Sequence, residues 1–173
     1  MQVGIIGLGV VGLSFASVLG SKGLSVVGMD SDLKKIKKIT SKKSLFFEPK
    51  LDSFLQKALS KSLEISSDIE KIVKNCDLIF LTVGTPKSKS GFIDLSMIKN
   101  ASKNIGISLR HSSKKPIIVV KSTVIPGTTT NVIKPLIEKM SRKKAGKGFE
   151  IIANPEFLRE GNVIDDTLKP HLV

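Results

Sequence analysis

The sequence predicts an α/β fold whose doubly wound, mainly parallel sheet carries helices on both faces. Short apolar segments alternate with helix-length segments along the chain, and the middle apolar segments are nearly continuous in Ile, Leu, Val and Phe. Alternation of this kind is typical of β-α-β units in a parallel sheet. Continuous apolar strands are typical of a sheet that is buried on both sides.

Strands and helices are expected to alternate as follows. The predicted strands span Val3–Ile6, Ser25–Met29, Leu63–Ile65, Asp77–Val83, Pro116–Lys121 and Glu150–Ala153. The predicted helices span Val10–Lys22, Ser31–Ser41, Lys50–Ser60, Asp68–Asn75, Leu95–Ser112 and Thr128–Lys143.

Three features concern the ends of these elements. Ser31 and Asp94 are expected to cap their helices, since short polar side chains accept hydrogen bonds from the first N–H groups of a helix. Pro135 predicts a kink or break in the last helix, because proline has no N–H to donate. The final apolar residues, Leu172 and Val173, look like the start of a further strand that is cut off. We therefore expect residues 1–173 to form one domain, truncated near its C-terminal end.

The charge of the chain is strongly positive. It carries 28 basic and 15 acidic residues, which gives a net charge of +13. A charge of this size can indicate a nucleic-acid partner. The lysines are scattered over predicted helix faces and loops, however, and Trp and Tyr are absent. We therefore expect no nucleic-acid partner, and the positive field would suit small anionic ligands.

Cellular location is indicated by what the sequence lacks. No apolar run approaches the roughly 20 residues that a bilayer span needs, and the apolar opening from Val3 to Leu8 is too short for a signal peptide. A soluble, cytoplasmic protein with no membrane contact is expected. The single cysteine, Cys76, excludes an internal disulfide and fits a reducing compartment. His111 and His171 have no partner at ligand spacing, so no metal site is expected.

Cys76 lies at the amino end of a predicted strand, which is the wrong edge of a parallel sheet for chemistry. We expect it to be a small packing residue, because an apolar environment keeps a thiol protonated and unreactive.

The first chemical motif is Gly7-Leu8-Gly9-Val10-Val11-Gly12, which follows an apolar strand and opens a helix. This context is what the dinucleotide-binding fingerprint of a Rossmann-like fold requires. Gly7 permits the tight turn, Gly9 lets the backbone approach a pyrophosphate, and Gly12 lets the helix pack closely against the strand. The start of the helix then faces the phosphate charge. We expect this turn to bind a dinucleotide.

Asp30 ends the next strand about 20 residues after the glycines, where the fingerprint places an acidic residue. Its carboxylate can accept both ribose hydroxyls and would repel a 2′-phosphate, so the sequence favours NAD over NADP. Lys34 and Lys35 leave NADP open, because a nearby cation can accommodate a 2′-phosphate. Asp30 could instead cap the next helix, although Ser31 or Asp32 could do so as well.

Polar or Gly-rich clusters follow three later strands directly: Gly84-Thr85-Pro86, Ser122-Thr123-Val124 and Asn154-Pro155-Glu156. In open α/β sheets, ligands bind at the carboxyl edge of the strands. A single cluster is more often a loop than a site, but several on one edge predict a binding site there.

Glu156 and Glu160 stand four residues apart, so both carboxylates would share one face if Glu156–Gly161 were helical. A carboxylate near a sugar can act as a general base or position a water. The spacing alone favours a plainer explanation, in which the two carboxylates stabilise the start of a helix and Arg159 pairs with them.

The stretch from Asn154 to Gly161, Asn-Pro-Glu-Phe-Leu-Arg-Glu-Gly, resembles the signature of the UDP-glucose/GDP-mannose dehydrogenase family. Other phrases are similar to stretches of the same family in the same order: Phe47-Glu48-Pro49, Val83-Gly84-Thr85-Pro86 and the run from Lys121 to Thr128. The resemblance covers essentially the whole chain. The octapeptide from Asn154 to Gly161 is specific to this family, whereas the glycine motif by itself does not identify the family.

This resemblance implies a two-step oxidation of the C6 alcohol of a nucleotide sugar to a carboxylate, with NAD accepting two hydrides. An aldehyde-level intermediate would be held on a cysteine and released by hydrolysis. Thr123 and Glu156 would be the catalytic residues, positioning water and moving protons. The substrate would be bordered by Glu156, Phe157, Leu158, Arg159 and Glu160. The residues implied to contact NAD are Gly7, Gly9, Val10, Val11, Gly12, Asp30, Lys35, Val83, Gly84, Thr85, Pro86, Ser122, Thr123, Val124 and Glu160.

The sequence also departs from the family pattern. The family's nucleophilic cysteine and its partner lysine, asparagine and aspartate come from a central helix and a C-terminal portion that we do not find here. Lys50 stands where the family usually has glycine, and His171-Leu172 stands where it usually has Asp-Arg. We therefore expect an NAD-binding half that needs a separate C-terminal half for catalysis. The resemblance also implies a homo-oligomer, although we expect the family's usual dimer helix to be missing from residues 1–173.

The substrate and the role of the chain remain open. The Phe157-Leu158-Arg159 form of the signature fits UDP-glucose and GDP-mannose better than N-acetylated sugars, and Gly161 slightly favours UDP-glucose. The chain could be part of a dehydrogenase, a module that binds NAD without chemistry, or a nucleic-acid binder. Thr123, Glu156 and the clusters at the strand ends favour a dehydrogenase.

Overall fold

A single parallel sheet organises residues 1–88 and 91–170, which the computed structural model describes. Its strands are β1 (Gln2–Ile6), β2 (Ser25–Met29), β3 (Leu63–Ser66), β4 (Leu78–Leu81), β5 (Ile117–Val120) and β6 (Glu150–Ala153). They lie in the order β3-β2-β1-β4-β5-β6, and every neighbouring pair is parallel. The predicted doubly wound α/β fold is therefore confirmed.

The strand order reverses direction between β1 and β4, which are neighbours in the sheet although two strands separate them in sequence. A crevice opens at such a point, because the connections leave β1 and β4 toward opposite faces of the sheet. The loops that follow these two strands therefore border the place where a doubly wound sheet binds its ligand.

Helices cover both faces of the sheet. They are α1 (Val10–Ser21), α2 (Leu33–Thr40), α3 (Leu51–Leu59), α4 (Ile69–Asn75), α5 (Ser96–Arg110), α6 (Lys134–Ser141) and α7 (Val163–Leu168), with a π-helical turn at Thr129–Ile133 leading into α6. One core lies between the sheet and α4, α5 and α6, and the other lies between the sheet and α1, α2 and α3. In the part of the chain that the structure describes, none of these helices is long and apolar enough to cross a membrane.

The continuous apolar strands are explained by these two cores. Along β4, Ile79 and Leu81 face the core beneath α5 and α6, whereas Phe80 faces the core beneath α1. Successive side chains of a strand point to opposite faces. A strand that is covered on both sides therefore needs apolar residues at every position.

One of the two expected helix caps differs from the sequence prediction. Asp32, and not Ser31, caps α2, since its side chain accepts from the N–H groups of Lys34 and Lys35. Asp94 does accept a hydrogen bond from the N–H of Ser96 at the start of α5, as expected of a capping side chain. Near Pro135, where a kink or break was expected, the π-helical turn changes to α-helix at Lys134 without an interruption.

The last described helix, α7, was not predicted, because its six residues show no clear helical period. Ile164 of this helix packs with Val18 of α1 and Leu51 of α3 in a small apolar cluster of its own. The helix therefore lies on the outside of α1. The strand expected to begin at Leu172 lies outside the described residues.

Lys50 occupies the left-handed backbone region, with φ of 67°, immediately before α3. Glycine adopts this conformation without a clash between its side chain and the backbone, which explains why the resembling family usually has glycine there. The Lys50 ammonium also pairs with Asp165 of α7 at 2.7 Å, but both side chains are about half exposed. Such exposed pairs add little stability.

We predict that the Lys50→Gly variant is more stable than the Lys50→Ala variant. Both lose the ion pair with Asp165, so they differ in backbone strain and in the larger conformational entropy that glycine loses on folding. A non-glycine residue in the left-handed region costs about 1–2 kcal/mol, and the entropy of glycine offsets about 0.4–1 kcal/mol of this. The free energy of unfolding should therefore differ by about 0.5–1 kcal/mol in favour of glycine. Urea denaturation of the two variants measures the difference. Equal stabilities would contradict the argument from strain.

Candidate functional site

A cleft of about 350 Å³ lies at the carboxyl ends of β1, β2 and β4, at the point where the strand order reverses. Six of the residues implied to contact the dinucleotide line it: Gly7, Gly9, Asp30, Lys35, Val83 and Gly84. The other implied contacts lie on the loops and the helix start around this cleft or beyond it. The sequence prediction of a site at this edge is therefore matched by a concave surface there.

The glycine turn between β1 and α1 is built for close backbone approach. Gly7 has φ of 101°, a region that side chains disfavour. A Cβ atom on Gly12 would lie 1.8 Å from the Gly7 carbonyl oxygen, so only glycine fits between helix and strand. At Gly9, by contrast, a Cβ atom would meet nothing within 4 Å. The open side of Gly9 is the space that a pyrophosphate would use.

Thr82 holds this turn in place, and sequence reasoning did not single it out. Its buried hydroxyl donates to the Gly7 carbonyl oxygen at 2.7 Å and lies 3.1 Å from that of Ile6. Its position directly after β4, beside the predicted Gly84 loop, was the available signal. The residue therefore joins the two loops that flank the cleft.

Asp30 is nearly buried at the end of β2 and points at the glycine turn. Its Oδ2 accepts the N–H of Leu8 at 2.9 Å, and its Oδ1 accepts the N–H of Asp32 at 3.0 Å. A carboxylate can accept about four hydrogen bonds, so acceptor capacity remains for ribose hydroxyls. The Lys35 ammonium lies 3.5 Å from Oδ2. Both groups that bear on the choice between NAD and NADP are thus adjacent.

The loops after β4 and β5 are tied to each other by hydroxyl groups. The Ser122 hydroxyl donates to the Val83 carbonyl oxygen at 2.6 Å, and the Thr85 hydroxyl donates to the Thr123 carbonyl oxygen at 2.7 Å. Both protons therefore go to backbone groups of the neighbouring loop. Ser122 and Thr85 act as braces that fix where Thr123 lies.

Thr123 and Glu156 meet at the ends of adjacent strands. Since β5 pairs with β6, the loops that follow them are neighbours, and the Thr123 hydroxyl donates to Glu156 Oε1 at 3.1 Å. The other oxygen, Oε2, accepts the N–H of Leu158 at 2.8 Å. Their side chains are therefore in direct contact at the carboxyl edge of the sheet.

Glu156 also lines a second cavity, of about 250 Å³, together with Phe157 and Leu158. The floor of this cavity includes Phe15 and Phe80, whose rings meet edge to face with centroids 4.8 Å apart. An apolar floor with a few polar groups is typical of small-molecule sites.

Lys121 is a second functional candidate that sequence reasoning missed. Its ammonium lies 5.4 Å from the centre of the Phe15 ring and donates to Asn154 Oδ1 at 3.1 Å. Burial lowers the pKa of Lys121, and the negative charge of Glu156 partly opposes this effect. Lys121 therefore brings a half-buried positive charge into the cavity that Glu156 lines.

The segment from Glu156 to Gly161 is not helical, which corrects one expectation. Glu156 and Glu160 therefore do not share a helix face, and Arg159 pairs with neither of them. The Arg159 guanidinium binds both carboxylate oxygens of Asp166 in α7, at 2.6 and 3.1 Å. Glu160 is exposed on a turn, away from the cavity walls. Glu156 and Glu160 therefore lie in separate environments and do not stabilise the start of a helix together.

Cys76 is completely buried, as expected of a packing residue, and lies beside the start of β4 against Gly4. Burial raises the pKa of the Cys76 thiol to about 11, and the charge of Asp77 adds to the effect. The thiol is therefore protonated at neutral pH. Within residues 1–88 and 91–170, no group of three or more His, Cys, Asp or Glu side chains is arranged to hold a metal ion.

Similarity to known proteins is extensive. Residues 1–173 match the model of the UDP-glucose/GDP-mannose dehydrogenase family, NAD binding domain. The chain is 42% identical over 167 residues to a GDP-mannose 6-dehydrogenase of Pseudomonas aeruginosa, covering 96% of this chain and 38% of that protein. It is 36% identical over 170 residues to a UDP-glucose 6-dehydrogenase of Haloferax volcanii, covering 98% of this chain and 39% of that protein.

Solved structures agree with these relatives. The fold superposes on a ternary complex of GDP-mannose dehydrogenase from Pseudomonas aeruginosa with a TM-score of 0.95, covering 98% of this chain and 39% of that one. It also matches a UDP-glucose dehydrogenase from Pyrobaculum islandicum, with a TM-score of 0.91, 32% identity and the same two coverages. The chain thus spans less than two fifths of the length of these relatives. It belongs to the UDP-glucose/GDP-mannose dehydrogenase family, matches that family's NAD-binding domain from end to end, and has NAD as its cofactor.

Proposed function

We propose that this chain is the part of a nucleotide-sugar 6-dehydrogenase that holds NAD and supplies two catalytic residues, Thr123 and Glu156. The observation that carries the proposal is the hydrogen bond between Thr123 and Glu156 at the ends of adjacent strands. Chemistry-bearing side chains belong at this edge of a doubly wound sheet, because the cofactor binds along it.

NAD would lie in the cleft along the carboxyl ends of β1, β2 and β4. The pyrophosphate would lie on the glycine turn and the start of α1, with Val10 and Val11 beside it, where N–H groups attract phosphate charge. Asp30 would accept the ribose hydroxyls and Lys35 would lie beside them. The remaining contacts would come from the loops after β4 and β5, namely Val83, Gly84, Thr85, Pro86, Ser122, Thr123 and Val124, and from Glu160.

Bound NAD supplies the acceptor for the hydride that leaves C6 of the sugar. The chain's own residues would handle the proton. Glu156 would take the proton of the C6 hydroxyl, directly or through a water, as the C6 carbon becomes a carbonyl. Thr123 would hold Glu156 Oε1 in place and orient a water for the later hydrolysis.

The residues of the signature would border the sugar. Phe157 and Leu158 line the cavity beside Glu156 and support this role. Arg159 is paired with Asp166, so its contribution to substrate binding would be to shape the loop. Glu160 is exposed and free to reach a ligand that lies over the turn.

We infer that the substrate is a GDP- or UDP-linked hexose. Gly161, which favoured UDP-glucose at first, has φ of 82°. Its backbone conformation is therefore sufficient to explain glycine there, and the residue no longer discriminates between sugars. Similarity favours GDP-mannose slightly, at 42% identity to the Pseudomonas aeruginosa enzyme against 36% to the Haloferax volcanii one. Both GDP-mannose and UDP-glucose are therefore used as substrates in the test below.

The alternative is a module that binds NAD without chemistry. The only cysteine, Cys76, is buried and protonated, so it offers no nucleophile for an aldehyde-level intermediate. We therefore propose that catalysis requires, in addition to residues 1–173, the remaining portion that the longer relatives have.

The test is NADH production from GDP-mannose and UDP-glucose. It compares the 173-residue chain with a hybrid enzyme in which the chain is joined to the remaining C-terminal portion of the Pseudomonas aeruginosa relative. We expect steady turnover of one of the two sugars by the hybrid enzyme and none by the chain alone. A hybrid enzyme that folds and binds NAD but oxidises neither sugar would favour the module without chemistry.

A further inference from the structure

A buried carboxylate outside the proposed site connects two distant parts of the chain. Glu48 lies in the segment between α2 and α3 and is only 8% exposed. Its Oε2 accepts the N–H of Gly161 at 3.0 Å, and its Oε1 accepts the N–H of Val163 at 2.9 Å. These partners lie 113 and 115 residues further along the chain. Glu48 lines neither the cleft at the ends of β1, β2 and β4 nor the second cavity beside Glu156.

Glu48 accepts hydrogen bonds from the end of the segment that also contains Glu156. Residues 154–162 lie between β6 and α7 and have no regular secondary structure. At its start, the segment is held by the N–H of Asn154, which donates to the Val120 carbonyl oxygen at 2.9 Å. Beyond Glu156, it is held by Asp166, which binds Arg159, and then by Glu48. Two nearly buried carboxylates therefore replace the hydrogen bonds that a helix or strand would have supplied.

A carboxylate suits this position for two reasons. It has an acceptor oxygen for each of two N–H groups that point the same way, and charged acceptors form stronger hydrogen bonds than neutral ones. The contact is also shielded, because Ile164 packs against Val18 and Leu51 directly beside it. A buried N–H group that loses its acceptor is costly, so the segment has little freedom to move while Glu48 is in place.

We infer that Glu48 is a positioning residue of the proposed dehydrogenase site. By binding the backbone of Gly161 and Val163, it fixes the far end of residues 154–162 and so holds Glu156 against Thr123. This inference rests on the proposed function for its catalytic meaning, but the mechanical part does not depend on it. The Glu48 side chain touches neither sugar nor cofactor and acts through the loop alone.

The first test measures amide hydrogen exchange by NMR in the 173-residue chain and its Glu48→Gln variant. Glutamine keeps one acceptor oxygen but turns an NH₂ group toward the second N–H donor. We expect exchange at Gly161, Val163 and Leu158 to become at least about tenfold faster, with β5 and β6 unchanged. The matched control is Asp165→Asn, which breaks the exposed ion pair between Lys50 and α7 and should leave all three amides unchanged.

The exchange rate at Leu158 shows whether Glu48 acts only on α7 or also positions Glu156, because the Leu158 N–H donates to Glu156 itself. If exchange accelerates at Gly161 and Val163 but not at Leu158, Glu48 is merely a cap for α7 and the inference is wrong. Should circular dichroism show that the Gln variant is unfolded, Glu48→Asp is measured in its place. It keeps the charge, but its side chain is one methylene shorter, which draws the carboxylate back from the two N–H groups.

The second test separates kcat from KM in the hybrid enzyme. Glu48→Gln should lower kcat about tenfold or more, since misplacing a catalytic group is costly, while KM for NAD stays unchanged. An unchanged kcat overturns the positioning role. If the hybrid enzyme with Glu48 intact oxidises no nucleotide sugar, the proposed function fails, whereas the exchange experiment still decides whether Glu48 holds the loop.

Discussion

Replacing Glu156 by Gln in the hybrid enzyme is expected to lower kcat by about 10²–10⁴-fold, which is the usual contribution of a positioned acid–base group. The variant should fold, because the amide oxygen can accept the N–H of Leu158 while the NH₂ group donates to the Thr123 hydroxyl oxygen. What it loses is the ability to take a proton. Initial rates of NADH formation with the accepted sugar measure the effect.

The matched control is Glu150→Gln. Glu150 begins the same strand β6 that ends just before Glu156, but it lies at the amino end of that strand, on the opposite edge of the sheet. Its loss should leave kcat unchanged. Full activity of the Glu156→Gln enzyme would remove Glu156 from catalysis and leave it as a residue that merely turns the chain after β6.

The Thr123→Val variant of the hybrid enzyme tests the orientation of Glu156 separately from its ability to take a proton. It removes the hydroxyl that donates to Glu156 Oε1 but leaves the carboxylate able to accept a proton. Its effect on kcat should therefore be smaller than that of Glu156→Gln. A larger effect would mean that Thr123 itself, and not Glu156, moves the proton.

Gly9→Ala is expected to weaken NAD binding by the 173-residue chain without destabilising its fold. The backbone of Gly9 is extended, with φ of −77°, and a Cβ atom would meet nothing in the protein within 4 Å. The methyl group would instead enter the space where the pyrophosphate approaches. Overpacking of this kind costs about 1–3 kcal/mol, which corresponds to roughly a fivefold to 150-fold loss of affinity.

Calorimetric titration with NAD measures the affinity, and thermal unfolding measures the stability. Gly12→Ala provides the contrast, because its Cβ would lie 1.8 Å from the Gly7 carbonyl oxygen and 2.6 Å from the Thr82 hydroxyl oxygen. That variant should lose stability as well as NAD affinity. If Gly9→Ala binds NAD as tightly as the unchanged chain, the pyrophosphate does not lie on this turn.

The same titration with NADP tests the role of Asp30. We expect NAD to bind more tightly, because the nearly buried carboxylate would repel a 2′-phosphate. The Lys35 ammonium, 3.5 Å from Asp30 Oδ2, is the group that could reverse this preference. Tighter binding of NADP would assign Lys35, and not Asp30, the leading part in recognising the ribose.

Much of the fold could be predicted from the sequence, because the signals involved are local. The near-continuous apolar segments indicated strands that are buried on both faces, and each is now found in the sheet. The glycine motif and Asp30 could be placed because turn and helix start lie within a few residues of each other, and β2 follows α1 at once. These patterns depend on backbone sterics and on side-chain alternation, which short stretches of sequence encode directly.

Tertiary structure decided the composition of the site. Thr123 meets Glu156 only because β5 and β6 are neighbours, a fact of strand order that no local pattern contains. The spacing of Glu156 and Glu160 suggested a helix, but Asp166 and Glu48 take the N–H groups of that segment and leave it irregular. Acceptors that lie far along the chain can thus override local propensity, and sequence periodicity carries no information about them.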